Sequence, residues 1–156
     1  MLRLSKLELK IPPVVLVLLF ALAMWLLTLI VPAVMQPAVW HSVLAGIFAI
    51  SGAGVALAGV LAFRRANTTV DPRVPQQSSS LVIRGIYRFS RNPMYLGFLL
   101  LLLALACYLM NVAAIALLPL FVLYMNRFQI APEERFLLQK FGAEYQVYCE
   151  RVRRWV

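Results

Sequence analysis

The sequence predicts an all-α integral-membrane protein with four transmembrane helices, both termini cytoplasmic, and a C-terminal amphipathic helical tail. Three observations lead there. Sixty-three per cent of the 156 residues are hydrophobic and mean hydropathy is +0.84, well above an ordinary soluble chain. Long uncharged runs alternate with short basic stretches. All fifteen lysines and arginines fall on one side of a four-span topology, as the positive-inside rule requires. A chain of this length has room for one domain, here residues 1–156 as a single membrane unit.

Residues 1–11 mix Leu2, Leu4, Leu7, Leu9 and Ile11 with Arg3, Lys6, Glu8 and Lys10. That is too charged to span and reads as an amphipathic segment in the headgroup region. The apolar run behind it is too long for a signal-peptide core and lacks a small-residue cleavage site, so retention is expected. Residues 12–34 carry no charge and form the first predicted span. Pro12 and Pro13 suit its start, with Pro32 and Pro37 around its end. Residues 38–63 form the second. Gly46, Ser51, Gly52, Ala53, Gly54, Ala56, Ala58 and Gly59 give that span a small-residue seam, the pattern that lets helix backbones approach in lipid. Such a seam permits a homo-oligomer without requiring one.

Residues 64–92 read as a cytoplasmic loop rich in Thr, Pro, Gln and Ser. It ends in Leu81–Arg88, a short helix or strand at the membrane surface. The uncharged run from Met94 to Met125 would be ~48 Å long as one helix, against ~30 Å of hydrocarbon. A turn at Asn111 resolves this into a hairpin of spans 93–109 and 112–130, the second carrying Pro119. Residues 131–156 form the tail. Pro132, Glu133 and Glu134 suit a helix start, Phe136, Leu137, Phe141, Tyr145 and Tyr148 recur at helical spacing, and Gly142 weakly interrupts the pattern.

The net charge of +9 raises nucleic acid as a partner. The basic residues flank the spans, so topology and anionic headgroups account for them, and no nucleic-acid partner is expected. Cys107 and Cys149 sit too far apart for a disulfide, and a single histidine, His41, gives no support for a metal site. No ionisable residue lies deep in a span, which argues against ion-coupled transport.

The polar groups concentrate in two cytoplasmic stretches, 84–97 and 131–155, at the two ends of the second hairpin. A hairpin brings its ends together. Arg91, Asn92 and Tyr95 should therefore neighbour Glu133, Glu134 and Arg135 in a surface pocket open sideways to lipid. Each group also has a plain structural reading. The arginines suit headgroup anchors, Glu133 and Glu134 a helix start, Tyr95, Tyr145 and Tyr148 an aromatic belt, and Arg153-Arg154-Trp155 an interfacial anchor. Spacing alone selects no reaction.

The string Gly85-Ile86-Tyr87-Arg88-Phe89-Ser90-Arg91-Asn92-Pro93-Met94-Tyr95-Leu96-Gly97 resembles the signature of the isoprenylcysteine carboxyl methyltransferase and phospholipid methyltransferase superfamily. So do Ala131-Pro132-Glu133-Glu134, Phe141-Gly142-Ala143-Glu144-Tyr145, Tyr148 and Arg151-Val152-Arg153-Arg154-Trp155. The resemblance covers about the C-terminal half. It implies a membrane methyltransferase using S-adenosylmethionine in a cytoplasmic pocket, with a lipophilic small molecule or a membrane lipid as acceptor. Carried over by motif, Tyr87, Arg88, Arg91, Asn92, Tyr95, Gly97, Glu133 and Glu134 would bind the cofactor. Glu144, Tyr148 and Arg151 would lie near the substrate, and Glu134 is the candidate base. An NADPH-dependent membrane reductase of related fold and a non-enzymatic membrane scaffold are the alternatives.

Overall fold

A computed structural model describes residues 8–33, 39–66 and 80–156. The start of the N-terminal segment (1–7), the predicted first outer connection (34–38) and most of the loop predicted to be cytoplasmic (67–79) lie outside those residues. The described residues are helical throughout, with no strand. The stretch before Arg84, read as a helix or strand, is neither, and only a 3-10 turn forms at Gly85–Arg88.

Helix α1 runs Pro13–Leu27, shorter than the predicted 12–34. Thr28 turns its hydroxyl back onto the Trp25 carbonyl (2.6 Å), and tight turns continue to Val31. Pro32 then disfavours helical geometry at the residue before it. Helix α2 runs Val39–Arg65, so Arg64 and Arg65 complete its last turn, where cations suit the helix dipole. Helix α3 spans Pro93–Leu109, as the sequence predicts.

Asn111 makes the hairpin turn. Met110 adopts the left-handed conformation (φ 48°) that ends α3. The Asn111 side-chain oxygen accepts from the N–H groups of Ala113 (2.9 Å) and Ala114 (3.2 Å), capping α4 at Val112–Tyr124. Its Nδ2 donates to the Val31 carbonyl (2.6 Å), so one fully buried side chain also ties down the end of α1.

The tail does not begin a separate helix at Pro132. Met125–Ile130 winds as a π-helix, with the Ala131 N–H reaching the Asn126 carbonyl, and continues directly into α5 at Ala131–Arg151. Pro132 has no N–H for the Phe128 carbonyl four residues back. The Leu9 N–H takes that acceptor instead (3.0 Å). Residues 8–11, expected in the headgroups, are thus docked on this junction. Glu8 pairs with Arg127 (2.7 Å) and Arg135, and Gln129 Nε2 donates to the Ile11 carbonyl (2.6 Å). Gly142 (φ 51°, ψ −123°) kinks α5, where the sequence shows a weak break.

Helix α3 is central and packs against α1, α2 and α4. The core joins Leu16 and Met24 of α1, Tyr95, Leu102 and Ala106 of α3, and Ala114 and Phe121 of α4. Outward residues such as Leu18, Leu22, Trp25, Ile50, Leu57, Leu120 and Leu123 are exposed and apolar, the surface that lipid solvates. Among the described residues, two helices are long and apolar enough to cross a membrane, α2 and the continuous Val112–Arg151 helix. Helices α1 and α3 are shorter apolar helices.

The small-residue seam of α2 is narrower than its composition suggests. Gly52, Ala56 and Gly59 are close against α3. A Cβ on Gly52 would meet the Gly97 carbonyl at 2.8 Å, one on Gly97 would meet the Gly52 carbonyl at 2.6 Å, and one on Gly59 would meet Met94 at 2.6 Å. Gly46 and Gly54 face open space.

Three substitutions test this packing and the hairpin cap, each read by thermal melting in detergent. Gly52→Ala should lower the melting temperature, because two backbones must separate, at a cost of about 1–3 kcal/mol. Gly54→Ala, with room for its methyl, should leave it unchanged or raise it through better helix propensity. Asn111→Ala should destabilise by roughly 0.5–2 kcal/mol from the lost cap alone, and more through the severed bond to Val31.

Candidate functional site

The site assembles where the N-terminus of α3 meets both ends of α5. Pro93 opens α3 with its φ preset for a helix. The three residues before it run along the end of the chain. The Arg91 N–H donates to the Arg153 carbonyl (3.0 Å), and Asn92 Nδ2 donates to the Arg154 carbonyl (2.9 Å). Ser90 Oγ accepts the Asn92 N–H (3.1 Å), bracing the turn.

Within this frame the Arg91 guanidinium makes three bonds. Its Nη2 donates to Glu134 Oε1 (2.8 Å), and its Nη1 donates to the carbonyls of Cys149 (3.2 Å) and Val152 (3.1 Å). Arg154 grips the same carboxylate with both ends of its fork, Nε to Oε1 (3.0 Å) and Nη2 to Oε2 (2.5 Å). Glu134 is therefore bound by two guanidiniums. The Arg91 and Glu134 side chains are only 14% and 20% exposed. Partly desolvated charge-assisted bonds of this kind are the strong ones, and removing one partner would strand buried charge.

Glu133, one residue earlier, lives in different surroundings. Its carboxylate accepts from the Tyr95 hydroxyl, and no arginine pairs with it in an ion pair among the described residues. Burial pushes its pKa up to about 8. The Tyr95 bond works against that shift, and the Glu134 charge adds to it. Two adjacent carboxyls thus differ sharply in environment, Glu134 held between two cations and Glu133 ready to take or give a proton near neutrality.

Tyr87 is buried, and its carbonyl accepts from the Tyr148 hydroxyl (2.7 Å). Burial pushes the phenols of Tyr87, Tyr145 and Tyr148 above the usual tyrosine range, so they act as neutral groups. Arg88, Glu144 and Arg151 are exposed.

The expected residues divide into three places. Arg91, Asn92, Tyr95, Glu133 and Glu134 converge, as the hairpin argument predicts. Tyr148, Glu144, Arg151 and Arg88 line a groove of about 560 Å³ with Ile83, Val147 and Val152. A second groove of about 560 Å³ is lined by Glu134, Arg135, Leu138, Tyr145, Gln146, Cys149 and Glu150. The two open on different faces of the α5 segment beyond Gly142. Gly97 joins neither, since the close approach it permits is to the α2 backbone at Gly52 and Ala56.

Several participants escape sequence reasoning. Arg154, assigned with Arg153 and Trp155 to an interfacial anchor, is the second clamp on Glu134. Trp155 is no simple anchor either. Its ring packs on the core and its Nε1 donates to Asn126 Oδ1 (3.0 Å). Glu8 and the groove residue Glu150 carried no specific signal, and Tyr145 stood out only as part of a motif and an aromatic face. The alternation Arg151-Val152-Arg153-Arg154 was the available hint, because an extended end of chain directs successive side chains to opposite sides.

With this geometry established, comparison with known proteins is informative. The profile of the phospholipid methyltransferase family matches residues 40–144, more than half of the chain. A stretch of 63 residues is 49% identical to an uncharacterized protein of Haemophilus influenzae, covering 40% of this chain and all of that one. The chain is also similar to protein-S-isoprenylcysteine O-methyltransferase A of Arabidopsis thaliana, 38% identical over 81 residues, or 49% of this chain and 39% of that protein. A probable protein-S-isoprenylcysteine O-methyltransferase of Oryza sativa subsp. indica is 36% identical over 81 residues, or 49% and 40% of the two chains. The match thus spans about two-fifths of the length of these plant relatives. No solved structure matches. Motif, helical architecture and profile agree, and the chain belongs to the phospholipid methyltransferase family of integral-membrane methyltransferases.

Proposed function

We propose that this protein is an S-adenosylmethionine-dependent methyltransferase acting on a lipophilic or membrane-embedded acceptor at the cytoplasmic face. In this reading the membrane is crossed four times, by α1 to α4, with both termini inside. The observation that carries it is the convergence of Arg91, Asn92 and Tyr95 with Glu133, Glu134 and Arg154 at one end of the α3–α4 hairpin, within a family of methyltransferases.

The donor set fits the cofactor. The groove beside Glu134 has about 560 Å³, within the ~300–1,000 Å³ range of small-molecule sites. Its lining offers each chemistry the cofactor demands. Glu134 and Glu150 suit an ammonium or ribose hydroxyls, Arg135 a carboxylate, and the Tyr145 ring an adenine or a cationic sulfur. When bound, S-adenosylmethionine supplies an electrophilic methyl group on a sulfonium centre. The chain's own task is to hold the reactants in line and to exclude water.

The two glutamates divide the work. Glu134 accepts three bonds from two arginines and serves to fix the groove wall, which moves the base assignment to its neighbour. Glu133, with a pKa of about 8, is matched to proton transfer near neutral pH, and Tyr95 orients its carboxyl. Glu144, Tyr148 and Arg151 lie on the other groove and take no part in this step. Neither the reductase nor the scaffold reading is favoured by an observation of the site.

Calorimetry on detergent-solubilised protein tests the proposal, with S-adenosylmethionine, S-adenosylhomocysteine and NADPH as ligands. Both sulfur compounds should bind and NADPH should not. Arg135→Gln and Glu150→Gln, both at exposed positions, should each weaken binding about tenfold with unchanged melting, as loss of a bond to a charged group implies. If the folded protein bound neither sulfur compound, the proposal would fail, and binding of NADPH alone would favour a reductase.

The raised Glu133 pKa makes a separate prediction about stability. Its folded value of about 8 lies above the ordinary 4.5, so between those values the folded state holds the proton more strongly than the unfolded chain. The contribution is complete below about pH 4.5 and is lost as pH rises toward 8. The melting temperature of the wild type relative to Glu133→Gln should therefore fall across that interval. A constant difference would show that Glu133 ionises normally.

A further inference from the structure

The two grooves beside α5 differ in the state of their charges. In the groove proposed for the cofactor, Glu134 is clamped by Arg91 and Arg154, and Arg135 is paired with Glu8. In the other, Arg88, Glu144 and Arg151 line one cavity, yet none of the three makes an ion pair with any described residue. Two guanidiniums and one carboxylate give that groove a formal charge of +1. The rest of its lining is Ile83, Ala143, Val147, Val152 and Tyr148, whose hydroxyl is taken up by the Tyr87 carbonyl.

The two arginines come from separate elements that are locked together. Arg88 ends the 3-10 turn and Arg151 ends α5. The Tyr148 hydroxyl binds the Tyr87 carbonyl at 2.7 Å, and the Arg91 N–H binds the Arg153 carbonyl at 3.0 Å, fixing one wall against the other. Next to the groove, Phe89 is 73% exposed and Ile83 is 39% exposed. An apolar aromatic left bare beside unpaired arginines suits the boundary between headgroups and acyl chains.

We propose that this groove binds the phosphodiester head of an anionic membrane lipid. Guanidinium forks match the phosphate oxygens, and the lipid's apolar portion lies along Ile83, Val147 and Val152 toward Phe89. The net charge selects among lipids. A monoanionic head neutralises the +1 groove, whereas a zwitterionic head brings its own cation and leaves the groove uncompensated. Glu144 sharpens this choice by limiting the excess positive charge. The lipid is held whether or not methyl transfer occurs, so the inference goes beyond the proposed activity and does not depend on it.

The test uses delipidated full-length protein in a neutral detergent without any methyl donor. Binding of phosphatidylglycerol, phosphatidylcholine and inorganic phosphate is followed by native mass spectrometry, with melting curves alongside. Phosphatidylglycerol should bind at one per chain, at least tenfold tighter than phosphatidylcholine, and inorganic phosphate should not displace it at equal concentration. Arg88→Gln with Arg151→Gln should erase that preference, whereas Arg64→Gln with Arg65→Gln, at the end of α2, should keep it. Should the double variant melt abnormally, Arg151→Gln alone carries the test and should reduce the preference severalfold. Glu144→Gln should tighten phosphatidylglycerol binding two- to threefold. Equal binding of the two lipids, displacement by free phosphate, or a preference that survives loss of Arg151 would overturn the inference. So would an equal loss in the α2 variant, which would reduce the effect to overall charge. Cofactor calorimetry is independent of all these outcomes, so the two proposals stand or fall separately.

Discussion

The Glu134 carboxylate, gripped by Arg91 and Arg154, is the interaction on which the polar end of this protein depends. It joins three pieces of chain that local structure would leave apart: the approach to α3, the first turn of α5, and the residues after α5. Arg91 extends the clamp by binding the Cys149 and Val152 carbonyls, acceptors freed where the helix ends. One guanidinium therefore closes a helix terminus and an ion pair together. Its position is mostly buried, so the bonds are little screened by salt, and the desolvation cost is offset by the three bonds from Nη1 and Nη2, while the buried Nε has no acceptor.

The clamp also explains why two adjacent glutamates differ chemically. Successive residues on a helix point about 100° apart. Glu134 faces the arginines, and Glu133 faces Tyr95 and the buried interior. The first is a structural anion. The second is lifted by desolvation to about 8, a shift of the kind that marks functional carboxyls. A single helical step separates a carboxylate clamped between two cations from one lifted by burial.

One turn into α3 from the site, the constraint is steric. Helices α2 and α3 meet through Gly52 and Gly97 with no space for a methyl group. Lipid provides no hydrophobic drive for helices to associate, so close van der Waals packing supplies it. The Asn111 cap and its bond to Val31 then fix the outer turn. The hairpin is held at both ends, and the end that carries Arg91 can present a rigid site on a helix terminus.

Much of this was legible in the sequence because the relevant signals act locally. Uncharged runs bounded by arginines set the helices, Pro93 set the start of α3, and Asn111 set the turn, since each imposes its geometry on immediate neighbours. The hairpin alone placed Arg91, Asn92 and Tyr95 beside Glu133 and Glu134. Tertiary structure decided the rest. The partners of Glu134 lie 43 and 20 residues away, and Glu8 meets Arg127 across 119, separations that no periodic pattern encodes. Hence Arg154 looked like a headgroup anchor, Gly97 like a cofactor contact and residues 8–11 like a surface segment. Each has a different role because its environment comes from distant chain. Composition and local sequence determined which segments become helices and where the polar groups gather. Only the packed fold decided which charges neutralise one another and which remain free to meet a ligand.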